Sequence, residues 1–138
     1  QHRHDLAFDD KLGDRTPAAW AQDIDQVLVH GSFAMTEVVF FHRASKTVLV
    51  AYLIQHFPRG WFKGWRGWLA KRSGIMASKA GTPFDLRATF THRKAVRNAV
   101  KHILDWNAER LIMAHGELVE HDAVAFIRHA LEWVHAEK

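Results

Sequence analysis

Apolar residues in this chain follow two rhythms, and the change between them divides it. Val27, Leu28 and Val29 form a short β run within Asp25–His30, which Gly31-Ser32 breaks. Met35–Arg43 carries Val38, Val39, Phe40 and Phe41 in succession, which reads as a strand buried on both faces. After the polar break Ala44-Ser45-Lys46, Thr47–Ile54 is again β-branched and apolar, so the two runs predict a hairpin. The helical rhythm comes later. Ala95, Val96, Ala99, Val100, Ile103 and Leu104 make one stripe on a helix that Thr91 caps, that runs to about Trp106, and that Asn107 stops in left-handed conformation. Leu111-Ile112-Met113 is a short buried strand ending at Ala114-His115-Gly116. A last helix over Asp122–His135 aligns Ala123, Ile127, Leu131 and Val134.

Two segments fit neither rhythm. Gln1–Arg15 is polar with few apolar anchors, so it is expected to be extended, after which Thr16-Pro17 starts a short helix to about Gln22 anchored by Trp20. Pro58–Gly74 reads PRGWFKGWRGWLAKRSG, and Ile75–Asp85 is loop. The expectation is an extended segment over 1–15 and one α/β domain over 16–138. That domain is of layered α+β type, a mixed sheet with a hairpin and two helices packed on one face. Nothing obvious covers the other face, although Val38–Phe41 point apolar side chains both ways.

Composition narrows the function classes. The chain has 138 residues, 48% of them hydrophobic, with six Trp and nine Phe, which excludes disorder as its main state. The absence of cysteine removes disulfides, thiolate metal sites and a cysteine nucleophile. No apolar run is long enough to span a bilayer and no signal peptide opens the chain, so a cytoplasmic location is expected. Beginning at Gln1 rather than Met, the chain reads as a trimmed piece or a fragment. A net charge of +4 permits anionic partners without demanding them, and eleven His would raise it steeply below about pH 6.5.

Several stretches together resemble a known family. TEVVFFHRASKTVLVAYLIQHF (Thr36 to Phe57), GWFKGW (Gly60 to Trp65) and RLIMAHG (Arg110 to Gly116) resemble the C-terminal half of an uncharacterised bacterial family related to the metallo-β-lactamase superfamily. LAFDDKLGD and AAWAQDIDQVLVHG are similar to the segment leading into that half. The resemblance implies half of a four-layer αββα sandwich, whose metal ligands sit at loop ends above the sheets. The His-rich motif HxHxDH belongs to the missing half, and His2-Arg3-His4-Asp5 echoes it only by chance. The Asp expected after the hairpin falls at Tyr52, whereas the late His corresponds to His115.

Each candidate has a structural as well as a functional reading. His115, at a strand end before a Gly turn, is a candidate metal ligand, with His56 a weaker one. Zinc is the metal these would suit, but a catalytic zinc needs about three protein ligands. Glu117, Glu120 and Asp122 read equally well as loop solvation and capping. His42, His121, His129 and His135 lack ligand spacing, and Ser32, Ser45, Ser73 and Ser78 lie outside any GxSxG. No cofactor is therefore expected.

The Trp segment has three readings. Trp61, Trp65 and Trp68 recur at helical spacing among Arg59, Lys63 and Arg66. They would cover sheet or partner surface, bind nucleic acid or another anionic ligand, or dip into lipid headgroups. Packing is the favoured reading. The whole reads as a non-catalytic half-sandwich that pairs as a homodimer over its uncovered face. A metal-dependent hydrolase and a nucleic-acid-binding module are the alternatives.

Overall fold

The computed structural model describes residue 7 and residues 11–58, 60–72 and 80–135. Most of the segment expected to be extended, the His2–Asp5 echo, Arg59, Ser73 and Ser78 lie outside the described residues. Strands β1 (Ile24–Val29), β2 (Glu37–His42) and β3 (Thr47–Val50) are followed by helices α1 (Gly64–Arg72), α2 (Phe84–Ala88) and α3 (Arg93–Asp105). Strand β4 (Arg110–Met113), helix α4 (Ala123–Ala130) and a 3-10 turn over Glu132–Val134 complete the elements of the described residues. The sheet order is β1-β2-β3-β4, antiparallel except for the parallel β3–β4 pair, so this is the mixed sheet with helices that the pattern predicts.

Register sorts the side chains. Val27 faces Val39, Phe41 faces Val48, Val48 faces Leu111 and Val50 faces Met113, and all of these are buried. On this face α3 seats Val96, Ala99, Val100 and Ile103, the stripe read from sequence, while α4 adds Ala123, Ile127 and Ala130. Trp106 stacks on Phe41 with ring centres 5.2 Å apart, and Trp133 packs against Phe90 at the same separation. Buried Thr82 donates from its hydroxyl to the Leu53 carbonyl (2.7 Å) and accepts the Trp133 indole N–H (3.0 Å), tying the 3-10 turn to the core.

The alternate positions form the second face. Phe40 faces Leu49 and Leu49 faces Ile112, an apolar row across three strands, and Leu28 faces Val38 two residues along β2. Leu49 and Ile112 are 37% and 43% exposed, and Leu28, Val38 and Phe40 are half-buried. Val38–Phe41 is thus buried on one face only. The row ends at Gln26, whose amide N–H groups donate to the carbonyls of Gly13 (2.7 Å) and Arg15 (3.1 Å).

Several elements differ from the sequence expectation. Pro17–Gln22 forms hydrogen-bonded turns rather than a helix, and the Thr16 hydroxyl, instead of capping it, donates to Asp25 (3.0 Å). The α3 cap position is His92, not Thr91, and its entry is held by the Gly31 carbonyl, which accepts from Thr91 N–H (2.9 Å) and His92 N–H (3.0 Å). The last helix stops at Ala130 and tightens into the 3-10 turn. A short helix occupies Phe84–Ala88, where the pattern gave loop to Asp85. The strand expected to reach Ile54 ends at Val50, for a reason that lies in Glu37.

Candidate functional site

Strands β3 and β4 run parallel and end together, and their carboxyl-terminal edge is where an open α/β sheet presents side chains to a ligand. Beyond Val50 the chain turns at once. Glu37 opens β2 on the helix-covered face, opposite Val29, and is 7% exposed. Its carboxylate accepts the backbone N–H groups of Ala51 (2.6 Å), Tyr52 (2.9 Å) and Leu53 (2.9 Å). These three amides would otherwise lie buried without partners or continue the β3 ladder, so the buried charge both ends the strand and shapes the turn.

Past the turn the two edges pair again. His56 N–H donates to the His115 carbonyl (3.1 Å), and Glu117 N–H donates to the His56 carbonyl (2.8 Å). Gly116 is the residue that permits this approach. Its φ is +138°, and a Cβ there would overlap the His56 carbonyl.

The edge brings His115 to Tyr52, with rings 4.9 Å apart and tilted by 45°. It does not bring His56 to His115. His56 is level with Gly116, one residue beyond His115, so the two side chains leave opposite sides of the extended pair. The His56 ring goes to the helix side, edge-on to Phe126 at 5.3 Å, and its shielded Nδ1 has no hydrogen-bond partner. His42 lies at the far end of the hairpin, within 2.7 Å of the Ser45 hydroxyl. His129 pairs loosely with Glu132 at 3.4 Å.

Among the described residues no three His, Cys, Asp or Glu side chains gather as metal ligands do. The late His that the resemblance marks as a ligand packs against the tilted ring of Tyr52, which stands at the place of the Asp, and Glu37 spends its oxygens on backbone amides. This donor set does not fit a zinc ion.

Five of the six Trp residues divide into two sets. Trp106 and Trp133 pack with the core, whereas Trp61, Trp65 and Trp68 are 64%, 69% and 63% exposed. Within the chain, then, these three indoles do not cover the sheet, which leaves the partner-surface half of the packing reading. Helix α1 starts at Gly64 rather than at Trp61, and Gly67 is required because the Phe62 carbonyl lies 2.6 Å from where a Cβ would sit. The Arg66 guanidinium lies 5.7 Å from the Trp65 ring, and the Arg72 guanidinium equally far from Trp68. Lys63 is exposed beside them.

An open cleft of about 660 Å³ lies at the other end of the sheet, between β1 and α3, lined in part by His30, His92, Lys94, Asn98 and His102. Next to it, Asp25 accepts from Thr16 (3.0 Å), the Gln26 N–H (2.9 Å) and the Trp106 indole N–H (3.0 Å), with the Arg43 guanidinium at 3.2 Å. Burial pushes the Asp25 carboxyl up, but these donors outweigh it and hold it below the usual carboxylate range.

Glu37 and Tyr52 are the residues that pattern reading misses as partners in the site. The available signal for Glu37 is a lone acid at the head of an apolar strand run, which must find donors wherever it is buried.

The described residues form an α+β fold, a four-stranded mixed sheet with α3 and α4 on one face. No protein-family model matches the chain, and neither a curated protein nor a solved structure matches it at a significant level.

Proposed function

We propose that this chain is a non-catalytic association module, a metallo-β-lactamase-like half-sandwich that pairs with a second copy across its open sheet face. The observation that carries the reading is the apolar set Leu28, Val38, Phe40, Leu49 and Ile112 on one face, drawn from all four strands. Helices α3 and α4 bury their stripes on the opposite face, and α2 buries no residue. A two-fold dimer stacking these rows would place two sheets between two helix layers, the layering the family resemblance implies. The non-catalytic part of the reading is supported by the parallel-strand edge, where His115 faces a tyrosine and the nearest buried carboxylate is committed to backbone.

Magnitudes set the expected affinity. On the order of 300 Å² of open apolar surface per copy, at about 25 cal/mol per Å², contributes on the order of 15 kcal/mol for the pair before association costs of about 4–15 kcal/mol. The balance, about 0–11 kcal/mol, brackets the roughly 8 kcal/mol of a micromolar dimer.

The sequence contains no cysteine, so single introduced thiols report the contact surface cleanly. Leu49→Cys, near the centre of the open row, is expected to be joined to its partner by a short bis-maleimide. Arg128→Cys, exposed on α4 in the helix layer, is expected to remain unlinked. Equal linking of both, or of neither, contradicts the proposal.

A further inference from the structure

The Trp-bearing helix carries an inference independent of self-association. Between Glu37 and Asp85 the chain has no acidic residue, and residues 58–79 hold six Lys and Arg. The exposed indoles fall in this acid-free region. In α1, Trp65, Trp68, Leu69 and Arg72 are spaced i, i+3, i+4 and i+7, so they share one helix face, and all four are exposed. Just before the helix, Trp61 lies 6.1 Å from Phe57, and Phe57 packs edge-on to Phe62 at 5.0 Å. Three indoles each more than three-fifths open to solvent are an unusual expense for a folded domain, and a contiguous exposed apolar patch marks a surface with a partner.

We infer that this face docks on an anionic bilayer surface, with the indoles at headgroup depth and the basic side chains on lipid phosphates. Charge complementarity selects an anionic partner, because no carboxylate in this stretch opposes Lys63, Arg66 and Arg72. Geometry selects a surface over a strand of nucleic acid. Single-stranded nucleic acid is held in a groove where bases stack on free aromatic faces. Here the residues stand on the outside of one nine-residue helix, and guanidinium groups already lie over Trp65 and Trp68. A guanidinium stacked on an indole is arranged for the membrane interface, where the apolar body is buried and the charge meets phosphate. No helix among the described residues is long and apolar enough to cross a membrane, so the contact is peripheral.

The test is co-sedimentation of the whole chain with vesicles of phosphatidylcholine alone and of phosphatidylcholine mixed with phosphatidylglycerol. The expected result is binding to the mixed vesicles at least about tenfold tighter than to the neutral ones, lost at high salt. Trp65→Ala with Trp68→Ala, and separately Arg66→Glu with Arg72→Glu, are each expected to weaken binding about tenfold. All four side chains are exposed, so circular dichroism and the thermal midpoint are expected to stay at wild-type values. Equal binding to both vesicle types, full binding by either double variant, or no vesicle binding beside salt-sensitive binding of a single-stranded oligonucleotide would overturn the inference.

Discussion

Leu111 and Ile112 are neighbours in β4 and lie in different solvents. Leu111 lies on the helix-covered face and is fully buried, whereas Ile112 is 43% exposed beside Leu49. The same contrast runs through the sheet, with Val39 and Phe41 packed under helices while Val38 and Phe40 between them are not. A strand's two faces are chemically independent because its side-chain period is two, so one sheet can be a finished core on one side and an unfinished one on the other. The helix-covered face accounts for why the chain folds. The open face accounts for what remains available to a partner.

Substitution at the two neighbours breaks this comparison most directly. Leu111→Ala is expected to lose about 2–5 kcal/mol in urea unfolding of the monomer, from lost burial and the cavity left behind. Ile112→Ala, measured at the same dilution, is expected to lose less than about 1 kcal/mol. Equal losses would mean that the second face is covered too.

The next effect belongs to the acid built into the covered face. Glu37→Gln keeps the shape of the side chain but removes the charge that three backbone N–H groups share. A loss of about 1–3 kcal/mol is expected, with faster amide exchange at Ala51, Tyr52 and Leu53. Unchanged exchange at those amides would show that the turn does not depend on the carboxylate.

A smaller effect sharpens the edge of the same face. Asp25 is held below its ordinary range in the folded chain, so the unfolded chain binds its proton more readily. Its contribution is therefore present at neutral pH and is lost as pH falls from about 5 through the folded value. Asp25→Asn is expected to lose about 1–2 kcal/mol at pH 7, a deficit that shrinks toward pH 3, read from urea midpoints at each pH. A deficit that stays constant with pH would assign the loss to packing instead.

Much of the architecture was legible in the residues. The hairpin, the α3 stripe, β4 and the left-handed Asn107 (φ +47°) all follow from local rules, and the structure has each of them. The single layer of helices was legible too, because only two amphipathic helices are available for four strands. What local rules miss depends on partners distant in sequence. Nothing near Val50 announces that β3 ends there, because the group that ends it is Glu37 across the sheet. Proximity in the chain likewise says nothing about which side of a strand pair His56 and His115 leave. Trp61, Trp65 and Trp68 carry a helical spacing that buried and exposed stripes share, so periodicity alone could not say that they lie outside.

The open face is tested most directly by the mass of the protein in solution. Sedimentation of the wild-type chain over about 1–200 μM is expected to shift from one 15.9 kDa chain toward two, while Ile112→Lys, which puts a charge at the β4 end of the row, stays at one. A wild-type chain that remains a single 15.9 kDa species across the whole range would contradict the account.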